Sequence, residues 1–218
     1  MAVLENKNVF VTGGGSGIGL ACARSFASDG ANVLIMGRNE AKLAAAADEL
    51  GAIEGAGRIQ ILTGDVSVEA DVSAAAEQAA IGGVLDIAVA NAGTGGLGPI
   101  MVTESESWDQ IMQTNLNGTF YTIKHSGQWM AKSGGGAICA ISSIAGVRTH
   151  RFMGPYCVSK AGIDMLVRNT ADELGTANIR VNSVCPGLVE TELASGLLET
   201  EEVYEDYLDC MPVRRHGR

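Results

Sequence analysis

Two side chains four residues apart, Tyr156 and Lys160, are the strongest candidates for chemistry in this sequence. On a helix this spacing places both side chains on one face, where they can address the same pocket. A phenol with a pKa of about 10 is a poor base at neutral pH unless a nearby positive charge stabilises the phenolate. Lys160 would supply that charge. The pair therefore predicts proton transfer by Tyr156, with the pKa of its phenol lowered by the neighbouring ammonium.

A glycine-rich segment near the start of the chain is typical of a site for nucleotide phosphates. A predicted strand runs into a loop that consists of Thr12, Gly13, Gly14, Gly15, Ser16, Gly17, Ile18 and Gly19, and a helical pattern follows directly. Glycine permits tight turns and the close approach of a pyrophosphate, to which the start of a helix offers free N–H groups. A simple turn is the alternative, but a strand before the loop and a helix after it favour cofactor binding.

The residues after the second predicted strand indicate which dinucleotide binds. Dinucleotide folds contact the adenosine ribose at this point, and here the sequence supplies Arg38 and Asn39 rather than an acid. Arginine is a forked and permanently charged partner for a 2′-phosphate. We therefore expect NADP(H) to be favoured over NAD(H). The alternative is a solvated arginine at the start of a helix.

Short apolar runs alternate with longer helical patterns along the chain. The runs are too continuous for strands with one wet face, and they predict buried parallel strands at 8–12, 32–36, 59–62, 87–91, 137–142 and 180–185. Helical patterns lie between them at 18–28, 40–50, 69–79, 108–131 and 156–174. This alternation predicts a single α/β domain over residues 1–218, a Rossmann-type doubly wound parallel sheet with helices on both faces. Its ligands should bind beyond the carboxyl ends of the strands.

Composition narrows the possible partners and location. A formal net charge of −10 argues against nucleic acid, so we expect a small-molecule ligand. We expect no membrane partner, because no apolar run approaches the roughly 20 residues needed to cross a bilayer, and we recognise no signal peptide. The three histidines are too dispersed to predict a metal site. The five cysteines are scattered without a CxxC pair, which favours buried thiols and a cytoplasmic location.

Taken in order, these motifs resemble the classical short-chain dehydrogenase/reductase family over essentially the whole chain. In addition to the glycine loop, Arg38 and Asn39, they comprise Asp65 and Val66 in "GDV", Asn91-Ala92-Gly93, Asn115 in "TNLNG", Ser143 in "ISSIAG", the YxxxK pair Tyr156 and Lys160, and Pro186-Gly187 with Val189 and Thr191. The resemblance implies an oxidoreductase that transfers a hydride between a nicotinamide cofactor and a carbonyl or secondary alcohol. A nucleotide-sensing protein of the same fold without turnover is the alternative, but the intact serine, tyrosine and lysine set favours an enzyme.

The resemblance also implies roles for individual residues. Tyr156 would be the general acid and base, Lys160 would also bind the nicotinamide ribose, and Ser143 rather than Ser142 would be the catalytic serine. Asn115 would hold a water in a proton relay, with a buried polar helix residue as the alternative; for Ser143 the alternative is a turn cap. The remaining implied contacts are Asp65 with Val66 to the adenine, residues 91–93 to the adenosine side, and residues 186–191 to the nicotinamide amide.

Two expectations concern the later part of the chain. Family members usually continue beyond a segment such as "MPVRRHGR", so we expect the last helix and strand to be missing and the usual homotetramer or dimer contacts to be affected. Substrate choice should depend on the loop after Asn91 and on segments 147–155 and 188–211. The last of these carries eight acids and no Lys or Arg, which is consistent with a mobile, solvated acidic lid.

Overall fold

The computed structural model describes residues 2–217, which form one sheet of six parallel strands. The strands are β1 (Asn8–Thr12), β2 (Asn32–Gly37), β3 (Ile59–Thr63), β4 (Ile87–Ala90), β5 (Gly136–Ile141) and β6 (Ile179–Val184). Their spatial order is β3-β2-β1-β4-β5-β6, so the direction of winding reverses between β1 and β4. A crevice opens at such a reversal, beyond the carboxyl ends of the strands. The predicted fold class is confirmed.

Helices cover both faces of this sheet. They are α1 (Gly17–Ser28), α2 (Glu40–Gly51), α3 (Glu69–Ala79), α4 (Ser105–Ile111), α5 (Gly118–Ser133), α6 (Gly154–Leu174), α7 (Ser195–Leu198) and α8 (Glu201–Asp209). Along β1, Phe10 points into a core shared with α3, α5 and α6, whereas Val9 and Val11 point into a second core shared with α1 and α2. Because both faces of the strand are buried, its sequence is apolar without interruption.

The predicted helix at 108–131 is interrupted in the structure. Between α4 and α5 the backbone makes a π-helical turn over Met112–Asn117, a local insertion of one residue into the helical repeat. Just after this turn, the hydroxyl of Thr119 on α5 donates to the backbone carbonyl of Asn115 at 2.7 Å. The turn brings the side chain of Asn115 to a fully buried position. A pattern with a period of 3.6 residues does not reveal such an insertion.

The acidic segment 188–211 contains the two short helices α7 and α8. Lys42 on α2 forms an ion pair with Glu192 at 2.6 Å, and Tyr207 on α8 contacts His150 in the loop after β5. The segment is therefore fastened at two points, and its predicted mobility stays a prediction.

Two other features concern the described residues as a whole: none of their helices is long and apolar enough to cross a membrane, and they include no group of three potential metal ligands.

The cysteines are more accessible than expected. Cys185 and Cys210 are exposed, and the other three, Cys22, Cys139 and Cys157, are half-buried. The expectation of buried thiols is wrong because an apolar sequence run can end at the surface of a sheet or helix, as Cys185 does directly after β6.

Candidate active site

The glycine loop makes a tight turn at the carboxyl end of β1. Gly13 and Gly17 adopt left-handed conformations, with φ of +65° and +54°, which side chains other than glycine rarely adopt. Gly19 meets a different constraint: a Cβ there would lie 2.3 Å from the carbonyl oxygen of Gly13 and 2.4 Å from Nδ2 of Asn91. The loop therefore depends on glycine for backbone conformation at two positions and for close packing at a third.

Asn91 anchors this loop from the end of β4. Its Nδ2 donates to the carbonyl oxygens of Thr12 and Gly13 at 2.9 and 3.2 Å. The backbone N–H groups of Asn91 and Ala92 donate to the hydroxyl of Thr12 at 2.9 and 3.2 Å. Resemblance assigned Asn91 to the adenosine side of the cofactor, but the side-chain amide nitrogen is engaged with the glycine loop. Asn91 therefore positions the loop across the point where β1 and β4 diverge.

The start of α1 is suited to a negatively charged group. Ser16 occupies the N-cap position without a side-chain hydrogen bond to the helix, and the first turn contains no acidic residue. The N–H groups of that turn and the positive end of the helix dipole are thus available to an anion. Gly15 and Ile18 flank this position, and a Cβ on Gly15 would reach only ordinary contact with Leu43, at 3.5 Å. These residues fit the pyrophosphate of a dinucleotide.

Arg38 and Asp65 lie side by side after β2 and β3. A guanidinium nitrogen of Arg38 is 4.0 Å from Oδ2 of Asp65, and the Arg38 side chain is 69% exposed. Oδ1 of Asp65 accepts hydrogen bonds from the N–H and hydroxyl of Ser67 at 2.9 and 2.8 Å. The side-chain oxygen of Asn39 caps α2 by accepting the N–H of Lys42 at 3.0 Å. Arg38 is therefore exposed to a ligand while it lies at the limit of an ion pair with Asp65, whereas the side-chain oxygen of Asn39 is already bonded to the first turn of α2.

Val66, which follows Asp65, is buried in the core against α5. A Cβ on Gly118 would come within 2.9 Å of its side chain. The Val66 side chain is therefore occupied by packing against α5.

Ser143, Tyr156 and Lys160 come together at the carboxyl end of β5. Ser143 follows that strand and its Oγ accepts the N–H of Ala145 at 3.1 Å, which leaves the hydroxyl proton free to donate elsewhere. It lies near enough to Tyr156 on α6 to lower the pKa of the phenol. Nζ of Lys160 lies 5.6 Å from the centre of the Tyr156 ring and donates to the carbonyl of Ile141 at 2.8 Å. The turn-cap alternative for Ser143 thus describes a contact that the structure contains, the bond from the Ala145 N–H.

The charges of this cluster differ from the expectation. Burial raises the pKa of the Tyr156 phenol, and the interaction with Ser143 lowers it only in part. Burial also lowers the pKa of Lys160 from 10.5 to about 8, against the opposing effect of the Asp164 carboxylate. The expected lowering of the phenol pKa by Lys160 is therefore not found. Lys160 directs its ammonium to the Ile141 carbonyl, so desolvation of the phenol dominates.

Asn115 holds the loop after β4 in place. Its Oδ1 accepts the N–H of Thr94 at 2.7 Å, and its Nδ2 donates to the Thr94 carbonyl at 2.9 Å and to Oγ of Ser159 at 3.0 Å. Both amide hydrogens are thereby used. A Cβ on Gly93 would lie 3.4 Å from Oδ1 of Asn115 and 3.7 Å from Nζ of Lys160, so this loop passes directly beside the lysine. Asn115 therefore links the loop after β4, at Thr94, to Ser159 on α6.

The segment after β6 closes back over the glycine loop. The carbonyl of Pro186 accepts the N–H of Ile144 at 3.0 Å, which joins the ends of β5 and β6, and Gly187 faces the Ile144 side chain. Val189 forms a parallel β-bridge with Gly217. The methyl group of Thr191 would lie 3.2 Å from a Cβ on Gly17. Residues 186–191 therefore border the crevice between Ser143 and the start of α1.

Sequence reasoning missed Asp164, a buried acid four residues after Lys160. Its Oδ1 accepts from the Ser183 hydroxyl at 3.1 Å and from the Cys185 thiol at 3.7 Å. Gly146 packs so closely that a Cβ there would lie 2.6 Å from Oδ2 of Asp164. The signal was present in the sequence, because residues 156, 160 and 164 share one face of a helix.

Comparison with known proteins gives matches over nearly the whole chain. A family model described as short chain dehydrogenase matches residues 7–202. The galactitol 2-dehydrogenase (L-tagatose-forming) of Cereibacter sphaeroides is 37% identical over 216 residues, which cover 98% of this chain and 84% of that protein.

Solved structures of similar proteins come from the same family of short-chain dehydrogenases. A short-chain type dehydrogenase/reductase from Mycobacterium ulcerans superposes with a TM-score of 0.94 at 41% identity, covering 98% of this chain and 79% of that one. A putative NAD(P)-dependent gluconate 5-dehydrogenase from Beutenbergia cavernae, solved with NADP bound at low occupancy, superposes with a TM-score of 0.92 at 28% identity. That match covers 99% of this chain and 86% of the other.

Proposed function

The chain belongs to the short-chain dehydrogenase/reductase family, and from that premise we propose that it interconverts a ketone and a secondary alcohol with NADP(H) as the preferred cofactor. One observation carries the proposal. Ser143 after β5 lies near enough to Tyr156 on α6 to lower the pKa of its phenol, and Nζ of Lys160 lies 5.6 Å from the centre of the Tyr156 ring. Two adjacent hydroxyl donors of this kind suit a carbonyl oxygen that gains negative charge during reduction.

A reduced nicotinamide cofactor held by the glycine loop and residues 186–191 would supply the hydride for the carbonyl carbon in the proposed reduction. Tyr156 donates its phenolic proton to the carbonyl oxygen, so the C=O bond becomes CH–OH. Ser143 donates a hydrogen bond to the same oxygen and orients it. With a pKa of about 8, Lys160 stays mostly protonated at neutral pH and would keep a positive charge beside the Tyr156 ring. In the oxidation, Tyr156 accepts the proton of the alcohol.

The test of this chemistry is Tyr156→Phe, which keeps the ring and removes the proton. Turnover should fall by about 10² to 10⁴-fold, because general acid–base catalysis contributes that much. NADPH affinity, measured by fluorescence titration, should stay within about twofold of wild type. Substantial retained turnover would refute the role of Tyr156. A wild-type protein that binds NADPH but turns over no ketone or alcohol would point instead to a nucleotide-sensing protein.

The cofactor preference rests on Arg38. Its exposed guanidinium lies at the carboxyl end of β2, and the next residue, Asn39, brings no negative charge that would repel a phosphate. The glycine loop and the start of α1 would hold the pyrophosphate, Asp65 and the Val66 backbone would contact the adenine, and residues 186–191 would border the nicotinamide. The solved gluconate 5-dehydrogenase with bound NADP lends support from a neighbour of the same fold.

Paired titrations with NADPH and NADH test that preference. Wild type should bind NADPH more tightly, and Arg38→Ala should weaken NADPH binding by about 10 to 100-fold, as expected for a lost charge-assisted hydrogen bond. NADH binding should change little. Arg58→Ala is the matched control, because Arg58 is also exposed but precedes β3, at the amino ends of the strands and away from the carboxyl ends where Arg38 lies. Equal affinities of wild type for the two cofactors would contradict the assignment.

We also propose that the protein forms a homo-oligomer, a dimer or tetramer, through α5 and α6. Val158 and Met165 are seven residues apart on one face of α6, and both are about half exposed, as is Phe120 on α5. Large apolar side chains repeated on one helix face suit burial against a second copy of the chain. Sedimentation should show an assembly that Met165→Glu weakens, and a monomeric wild type at micromolar concentration would contradict it.

A further inference from the structure

An ion pair links the segment after β6 to the first turn of α2. Nζ of Lys42 lies 2.7 and 2.6 Å from Oε1 and Oε2 of Glu192, so the lysine bonds both carboxylate oxygens. The two partners are 150 positions apart in the chain. Among the ion pairs that the described residues form, this is the one that joins the segment after β6 to the part of the chain before β4.

Local contacts fix the position of each partner. The N–H of Lys42 donates to Oδ1 of Asn39 at 3.0 Å, so the lysine lies in the capped first turn of α2. Glu192 begins a 3₁₀ turn that directly follows Thr191. In this turn the N–H of Ala194 donates to the Thr191 carbonyl at 3.0 Å, and the Ala194 side chain is buried. The ion pair therefore connects two ordered turns rather than two loose loops.

The pair spans the start of α1. On one side, a Cβ on Gly15 would lie 3.6 Å from Cβ of Lys42. On the other side, a Cβ on Gly17 would lie 3.2 Å from the methyl group of Thr191, the residue before Glu192. The glycine loop thus touches both of the elements that the pair joins. The loop, α2, the ion pair and the segment after β6 form a closed circuit of contacts around N–H groups that suit a pyrophosphate.

The charges and the exposure of the pair indicate what it can do at this place. A phosphate attracts Lys42 and repels Glu192, so a carboxylate without a cationic partner beside the start of α1 would disfavour the cofactor. The side chains of Lys42 and Glu192 are 49% and 68% exposed. An ion pair with this much exposure is weak and is screened by salt. It can therefore open and close over the crevice, unlike a buried contact.

We propose that the Lys42–Glu192 pair closes the cofactor crevice and must open before a nicotinamide dinucleotide can leave. The inference rests on the proposed function with NADP(H), and it adds a control of cofactor exchange by α2 and the segment after β6. Lys42 and Glu192 are positioning residues, because they hold residues 186–191 against the glycine loop. Breaking the pair therefore accelerates cofactor release, whichever of the two charges is removed.

The test measures how fast NADPH dissociates. Stopped-flow fluorescence follows the loss of bound NADPH after mixing with excess NADP⁺. Lys42→Ala and Glu192→Ala should each release NADPH about two- to fivefold faster than wild type at low salt, the range expected for the loss of an exposed ion pair. In 1 M KCl, where the Debye length is about 3 Å, the ratio of each variant to wild type should fall toward one.

Glu192→Ala separates this role from simple electrostatics. If Glu192 only repelled the phosphates, its removal would slow the release of NADPH, whereas the closing role predicts faster release. Lys42→Glu combined with Glu192→Lys rebuilds the pair with its charges reversed. The double variant should return the release rate to within about twofold of wild type, which neither reversal alone should do, because the effects of residues in contact are not additive.

Two further variants match these changes in net charge at other places. Lys124→Ala removes an exposed lysine of α5 that pairs with Glu69 on α3 at 2.7 Å. Glu54→Ala removes an exposed acid between α2 and β3. Both variants should release NADPH at the wild-type rate. Thermal unfolding of each variant confirms that it is folded.

The outcomes distinguish this inference from the proposed function. Wild-type release rates in Lys42→Ala and Glu192→Ala would overturn the closing role and leave NADPH binding intact. Slower release from Glu192→Ala would also overturn it, since that result indicates repulsion alone, and so would equal acceleration in the two control variants. A folded wild type that binds neither NADPH nor NADH would overturn the proposed function as well.

Discussion

Replacing Lys160 by methionine should remove a pH dependence from the stability of the fold. The Lys160 side chain is 3% exposed, and burial lowers the pKa of its ammonium from 10.5 to about 8. The unfolded chain binds this proton more tightly than the folded protein does. Between pH 8 and 10.5 the unfolded state therefore carries more protons, and the free energy of unfolding rises with pH across that window.

The size of the effect follows from the two pKa values. At about 1.4 kcal/mol per pH unit, a fall from 10.5 to about 8 means that the charged lysine lowers the free energy of unfolding by about 3 kcal/mol at pH 7. By pH 10 most of this penalty is gone. The folded protein has then released the Lys160 proton, and the unfolded chain is beginning to release it too. Wild type should thus gain about 2 kcal/mol over Lys160→Met between pH 7 and pH 10.

Urea unfolding of both proteins at pH 7, 8, 9 and 10, without added cofactor, measures this difference. The Lys160→Met variant also lacks the hydrogen bond to the Ile141 carbonyl and the ammonium beside Asp164. These losses shift its free energy of unfolding relative to wild type by the same amount at each pH. Burial raises the pKa of the Cys22 and Cys139 thiols, so stability falls as the pH rises through 9 in both proteins. That contribution cancels in the comparison. Parallel curves from pH 7 to pH 10 would refute a buried Lys160 with a lowered pKa.

Two further substitutions test the packing and the charges of the site. Gly19→Ala should weaken NADPH binding by about tenfold or more, because its Cβ would press on the Gly13 carbonyl and the Asn91 amide, a strain of about 1–3 kcal/mol. Gly51→Ala at the end of α2 meets no atom within 4 Å and should bind as wild type does; equal titration curves for the two variants would count against the argument. Asp164→Asn should lower the pKa of Lys160 below its present value of about 8, since it removes a carboxylate that favours the ammonium. The basic limb of the pH profile of kcat/KM should then shift to lower pH, and an unshifted profile would contradict that coupling.

The central strands β1, β2 and β4 were readable from the sequence because both of their faces are buried. At the edge of the sheet the prediction of a strand buried on both faces is wrong for β6, where buried Ile179 and Val181 alternate with exposed Arg180 and Asn182. A strand such as β2, whose central residues Val33 to Met36 are all buried, gives an apolar run that a half-exposed strand would not. Each predicted strand lies within one residue of the observed bounds at both ends. The loop glycines and the YxxxK spacing were also readable, since backbone conformation and helix periodicity act over a few residues.

Contacts between distant segments could not be read in this way. His150 and Tyr207 are 57 positions apart, and no local pattern indicates that their rings meet. Asn91 and Asn115 were identified as site residues, but their partners in the glycine loop and at Thr94 follow only from how the strand ends converge. The direction of the Lys160 ammonium likewise depends on the Ile141 carbonyl, which the spacing to Tyr156 does not reveal.

The strand order also has a consequence during synthesis on the ribosome. Asn8 in β1 pairs with Asn32 in β2, but its other neighbour, β4, begins only at Ile87. At about 5–20 residues per second, the interval between completion of β2 and completion of β4 lasts roughly 3–10 s. During that time β1, which is buried along its whole length in the finished protein, is the outer edge of a nascent half-sheet. Unpaired apolar edges invite association with other chains. A delay in translation between residues 37 and 90 should therefore lower the yield of folded protein more than an equal delay after residue 90.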